Sequence, residues 1–134
     1  MNARTLLLVV LASVSIGAVA QSREPTVAEV VVYKRASCNC CKLWVEHLKK
    51  AGFSVQTRDV RDLKPIHQRA GVPMRLEACH TAEVGGYFGE GHVPADDIKR
   101  LLRERPAAKG LAVPVMPSGA PGMELPSGKV YPYV

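Results

Sequence analysis

Three cysteines within four residues, Cys38-Asn39-Cys40-Cys41, are the densest chemistry in the chain, and Cys79 is the fourth. Cys38 and Cys41 alone have the CxxC spacing of thiol–disulfide oxidoreductases. Cys40 changes that reading. A dithiol needs two sulfurs, and a third beside them invites wrong pairing by exchange. Cys40 and Cys41 are neighbours, so a bridge between them would strain the peptide that joins them. Three thiolates packed this closely suit a soft metal, because sulfur can bridge two ions. Thiolate and thioether ligands select Cu(I) and also suit zinc. A zinc site of this kind usually has two separated CxxC pairs, and this chain has one. Copper is the expected ligand.

The elements around the cluster must hold it at a strand-to-helix junction. Val27 to Tyr33 is β-branched and apolar and predicts a buried strand. Ser37 offers a helix N-cap, and Cys41, Trp44, Val45, Leu48 and Ala51 fall on one face of a helix running from Asn39 to Ala51. Gly52 suits a left-handed C-cap, and Phe53 to Val60 alternates as a second strand. Strand, helix and strand with short connections make a βαβ unit with a parallel pair and a right-handed crossover. Helix N-terminal N–H groups and the macrodipole stabilise thiolates, which improves them as nucleophiles and as ligands.

Downstream, Asp62 to Ala70 predicts a short helix. Cys79 to Val84 and Tyr87 to Val93 predict a hairpin turned by Gly85-Gly86, and that turn is structural, not a phosphate loop. Pro94, Asp96 and Asp97 open a last helix whose buried stripe is Ile98, Leu101 and Leu102, and Pro106 stops it. The order βαβ, short helix, ββ hairpin, helix is an α/β fold of thioredoxin-like architecture, with an expected central mixed sheet of four strands. In that architecture the hairpin's first strand begins beside the CxxC, so Cys79 and His80 should face the cluster. Two alternatives stand beside this: Cys79 as a buried free cysteine, or two structural disulfides, Cys38–Cys41 with Cys40–Cys79.

Residues 107–134 carry half of the chain's ten prolines and have no regular period. They read either as a disordered tail or as an ordered Pro/Gly-rich loop. The apolar Leu111, Val113, Val115, Met116 and Met123 favour a loop that packs back over the thiol site. His80, His92, Met116 and Met123 are the candidate ligands beyond the cysteines, weighed against a hydrogen-bonded structural histidine and gap-filling methionine. His47 and His67 read as surface residues and Trp44 as core.

Taken together, several segments resemble the CopG-like copper-resistance family, long catalogued as a domain of unknown function. They are Val32-Tyr33-Lys34, Ser37-Cys38-Asn39-Cys40-Cys41-Lys42, Gly71-Val72-Pro73, Cys79-His80-Thr81-Ala82, Glu90-Gly91-His92-Val93-Pro94 and Pro121-Gly122-Met123-Glu124. The resemblance implies a thioredoxin-like fold, export, and copper held by the clustered cysteines with redox cycling. Asn39 departs from the family, which more often has Gly there.

The remaining sequence sets the compartment. Arg4, the apolar run Leu6 to Ile16 and Ala18-Val19-Ala20 form a secretory signal pattern, with an uncleaved anchor as the alternative. Cleavage after Ala20 leaves one domain, residues 21–134, in the periplasm and free of the membrane. The net charge of +6 is spread thinly, without a basic run interleaved with aromatics, so nucleic acid is not an expected partner. The reading is a periplasmic protein that binds Cu(I), alone or as a multinuclear thiolate cluster, and exchanges it with other copper-handling proteins. A thiol–disulfide oxidoreductase acting on protein thiols is the alternative, and a disulfide-stapled module without metal is the third reading.

Overall fold

A computed structural model describes residues 28–131; the secretory signal expected over residues 1–20 lies outside them. The elements follow in the order β1 (Glu29–Lys34), α1 (Asn39–Lys50), β2 (Ser54–Asp59), α2 (Lys64–Ala70), a 3-10 turn (Met74–Leu76), β3 (His80–Val84), β4 (Tyr87–Gly91), α3 (Ala95–Glu104) and β5 (Gly110–Val113). They form a mixed sheet in the order β2-β1-β3-β4-β5. β1 and β2 are parallel, β3 is antiparallel to both β1 and β4, and β5 is parallel to β4.

Among the described residues the sheet thus has five strands, and the expectation of four is corrected. β5 comes from the Pro/Gly-rich segment, where four residues are too few to declare a period. It adds to β4 because Gly110 lets the two backbones approach; a Cβ there would collide with the Phe88 carbonyl. Among the described residues no helix is long and apolar enough to cross a membrane.

Alternation along β1 divides the core. Val30 and Val32 face a cluster with Trp44, Val45 and Leu48 of α1 and Ile98 of α3. Val31 and Tyr33 face the other way, toward Leu63 and Ile66 around α2. Each fully buried large side chain of the first cluster contributes roughly 1.5–3 kcal/mol, which fixes α1 firmly on the sheet. α2 tolerates Pro65 because the ring sits in its first turn, where no N–H is needed. In α3, Asp96 and Asp97 occupy the first turn as the dipole prefers.

Register brings the site together. Lys34, the last residue of β1, pairs with His80, the first of β3. The chain leaving β1 toward α1 and the chain entering β3 therefore meet at one end of the sheet. That relationship, and not proximity in sequence, puts Cys79 beside Cys38, Cys40 and Cys41.

Candidate metal centre

Cys38 leaves β1 through a turn closed by its own N–H donating to the Arg35 carbonyl at 3.1 Å. It is the N-cap of α1, the position expected for Ser37, and no side-chain oxygen caps the helix. No acidic residue stands in the first turn, so the positive end of α1 is left to the sulfurs. Cys41, in the same turn, is fully buried on the core face.

A disulfide joins Cys38 and Cys41, while Cys40 and Cys79 are free. The pairing of Cys40 with Cys79, weighed with the doubly bridged reading, is not made. Cys40 Sγ lies 3.6 Å from Cys38 Sγ, and Cys79 Sγ lies 3.5 Å from Cys41 Sγ. All four sulfurs fall within 4.8 Å of one another. Burial raises the Cys79 thiol to about 11, with the neighbouring Cys40 adding to the effect. Without a metal, Cys79 is therefore protonated at neutral pH. A bound cation would displace that proton.

Cys79, His80 and His92 form a second group, again within 4.8 Å. Cys79 Sγ is 3.4 Å from His80 Nδ1 and 3.9 Å from His92 Nε2. The His92 tautomer follows from its other neighbour. Its Nδ1 lies 2.7 Å from the Pro121 carbonyl oxygen, which can only accept, so Nδ1 carries the proton. Nε2 then presents a lone pair to Cys79, the arrangement of metal-ligating histidines. His80 is pulled down to about 3 by burial and then by His92, with a small opposing effect from the Gly91 backbone. It stays a neutral imidazole, stacks at 4.4 Å on Trp44, and its Nε2 is buried without a well-aligned partner.

The chain beyond β5 reaches this site. Gly122 packs so tightly that a Cβ would lie 2.8 Å from the Trp44 nitrogen and 3.0 Å from the Cys40 carbonyl oxygen, and its φ is +82°. Only glycine fits both demands. The next residue, Met123, is half-buried, whereas Met116 is 54% exposed. A cavity of about 370 Å³ opens onto Cys38 and Cys79, walled by Arg35, Ser37, Leu63 and Ala78.

Two histidines differ from expectation. His67 is buried, not superficial: α2 lays it against the sheet, with its ring nitrogens 3.4 Å from Glu77 and 3.1 Å from Glu90, neither well aligned for a hydrogen bond. His47 is half-buried, and its Nε2 accepts the Ala95 N–H at 3.1 Å, capping α3. Sequence reasoning also passed over Glu90, a fully buried carboxylate in β4. Its signal was an acid set among the apolar and small residues Tyr87-Phe88-Gly89 and Gly91 of one strand, which needs internal partners when that strand is buried. Those partners are the Ala78 N–H at 2.6 Å and the Thr81 hydroxyl at 2.7 Å, and burial holds the Glu90 carboxyl above its usual range.

A mixed α/β domain with a four-sulfur cluster and two adjacent imidazoles has the donor chemistry of a soft-metal protein. Comparison with known proteins narrows this. The family described as a protein of unknown function, DUF411, matches residues 76–123. The structure of a copper resistance protein CopG, form 2, is 45% identical over 75% of this chain and 80% of that one, with a TM-score of 0.71. A second CopG structure, form 1, is likewise 45% identical over 74% and 78%, with a TM-score of 0.70. No curated protein sequence matches. The chain belongs to the CopG-like copper-resistance family.

Proposed function

We propose that this is an exported copper-binding protein of copper resistance that works in the periplasm and holds Cu(I) on Cys38, Cys40, Cys41 and Cys79. The observation that carries the reading is four sulfurs within 4.8 Å, three of them on or beside one helix and the fourth delivered by β3. His80 and His92 complete the set from the imidazole side, and Met116 and Met123 supply thioethers from the C-terminal segment. Four sulfurs close enough to share ions support a multinuclear cluster. The βαβ, α, ββ, α order supports a thioredoxin-like reading of the fold, with β5 as an added edge. Export rests on the signal pattern that ends at Ala20.

Copper handling and thiol chemistry are linked at this site. With Cys38 and Cys41 joined, two of the four sulfurs are not thiolates, so full loading requires reduction of that bond. In the other direction, oxidation of the two thiols forms one S–S bond and releases two electrons and two protons. Two Cu(II) ions take up those electrons and become two Cu(I), so the protein can couple copper oxidation state to its own thiols. The copper donor or acceptor would be another periplasmic copper-handling protein.

The Cys38–Cys41 disulfide also favours the alternative, a thiol–disulfide oxidoreductase acting on protein thiols. Anaerobic reduction followed by elemental analysis separates the two. Copper retained in preference to zinc by the wild type, and reduced stoichiometry in Cys79→Ser, are expected. Protein that takes up no copper yet reduces a model protein disulfide at an appreciable rate would overturn the copper reading.

A further inference from the structure

Glu90 lies on the α2 side of the sheet, directly across from Thr81 in the β3–β4 ladder. One carboxylate oxygen accepts the Ala78 N–H at 2.6 Å, and the other accepts the Thr81 hydroxyl at 2.7 Å. Ala78 and Thr81 flank Cys79-His80 on either side. A single buried side chain therefore ties down both ends of the dipeptide that brings a sulfur and an imidazole to the cluster. His67, 5% exposed, stands behind it, with Nε2 3.1 Å from the oxygen that holds Ala78 and Nδ1 3.4 Å from Glu77. Among the described residues no other side chain hydrogen-bonds the Ala78 N–H or the Thr81 hydroxyl.

We propose that Glu90 is a positioning residue for the metal centre: it brackets Cys79-His80, with His67 packed behind it, and sets the distance of Cys79 and His80 from the cysteines of α1. The inference rests on the copper-binding reading above. Glu90 itself is not a ligand; its oxygens are spent on the backbone and hydroxyl it holds. The reason a protein would place a carboxylate here is geometric. Cys79 precedes β3, so the ladder alone does not fix it, and a ligand free to swing loses part of its affinity to ordering. Outer-shell partners of metal ligands commonly change affinity by about 10–100-fold when removed.

The test compares Glu90→Leu, Glu90→Gln and Thr81→Val with wild type and Cys79→Ser, using full-length processed protein, reduced and titrated anaerobically with Cu(I) against a chromogenic chelator. Glu90→Leu removes both brackets and should weaken binding about 10–100-fold. Glu90→Gln keeps an oxygen for the Ala78 N–H and reverses the other bridge, donating from its N–H₂ to the Thr81 oxygen, so both brackets remain and binding should stay within about threefold of wild type. Thr81→Val, a smaller change that covers the case of an unfolded Glu90→Leu, should weaken binding about tenfold. Near-ultraviolet thiolate-to-copper bands, which report ligand geometry, should shift in Glu90→Leu and Thr81→Val but not in Glu90→Gln. A role in stability alone would lower the melting temperature and leave affinity and bands of the folded protein unchanged, which overturns the proposal. Loss in Glu90→Gln equal to that in Glu90→Leu overturns it too, because charge and not bracketing would then matter. Wild type that fails to bind copper sinks the copper reading itself, whereas wild type that binds through Cys79, with Glu90→Leu and Thr81→Val unaffected, sinks only the positioning role.

Discussion

His92 donates its Nδ1 proton to the carbonyl of Pro121 across 2.7 Å, so the segment after the last strand dictates which nitrogen of a buried imidazole faces Cys79. The contact depends on Gly122, which lets the chain pass within van der Waals distance of α1. Gly122→Ala should force the segment off the helix, through both the Cβ clash and the positive φ. A loss of roughly 1–3 kcal/mol in unfolding free energy is expected, together with about tenfold weaker Cu(I) binding as His92 loses its orienting partner. Urea unfolding and chelator competition measure the two. Unchanged copper affinity in a destabilised Gly122→Ala would mean that the segment supports the fold but not the site.

His47 offers the opposite pattern. Its ring accepts the Ala95 N–H at the start of α3 and lies outside the sulfur and imidazole groups. His47→Ala should cost about 1 kcal/mol, as loss of a helix cap does, and leave copper stoichiometry and affinity at wild-type values. Cys79→Ser should do the reverse, weakening copper as much as Cys38→Ser. A His47→Ala protein with depleted copper would show that the α3 terminus bears on the metal.

The chain has one tryptophan, and it stacks on His80. Copper bound beside His80 should therefore quench Trp44 emission in step with loading. Saturation of the copper sites without a change in emission would exclude His80 from the metal's neighbourhood.

Acid should weaken the metal-free fold through His80. Its folded pKa, pulled down to about 3 by burial and then by His92, lies below the unfolded value, so below pH about 6.5 the unfolded chain binds a proton that the folded one refuses. Stability from this group is complete above pH about 6.5 and falls as pH drops toward the folded value, by about 1.4 kcal/mol per unit at the steepest. His47, also lowered by burial, acts in the same direction. Glu90, raised by burial, acts in the opposite one, since its folded form holds a proton longer. Subtracting the urea stability of His80→Gln from that of wild type at pH 7 and pH 5 isolates His80. A difference that stays constant between the two pH values would contradict its buried neutral state.

How much of this was legible beforehand depends on range. The strand, the helix stripe of Cys41, Trp44, Val45 and Leu48, and the Gly85-Gly86 turn are written in local periodicity and turn chemistry, and the structure has them. The cysteine cluster was equally plain, because ligand type and spacing are covalent facts. β5 was missed because four residues gain their strand character from pairing with β4, and nothing local signals a partner. His67 looked superficial because a seven-residue helix gives too little periodicity to tell its faces apart.

The sequence by itself determined the donor set: four thiols, with imidazoles next to or near one of them, on a strand-to-helix junction and a hairpin. Only the tertiary structure decided how those donors are presented. The pairing of Lys34 with His80 brings Cys79 to Cys41, the Pro121 carbonyl selects the His92 tautomer, and Glu90 holds the backbone around Cys79. Each of these joins residues far apart in the chain through a hydrogen bond or a register. Such contacts exist only after the sheet has closed, which is why no local pattern announces them.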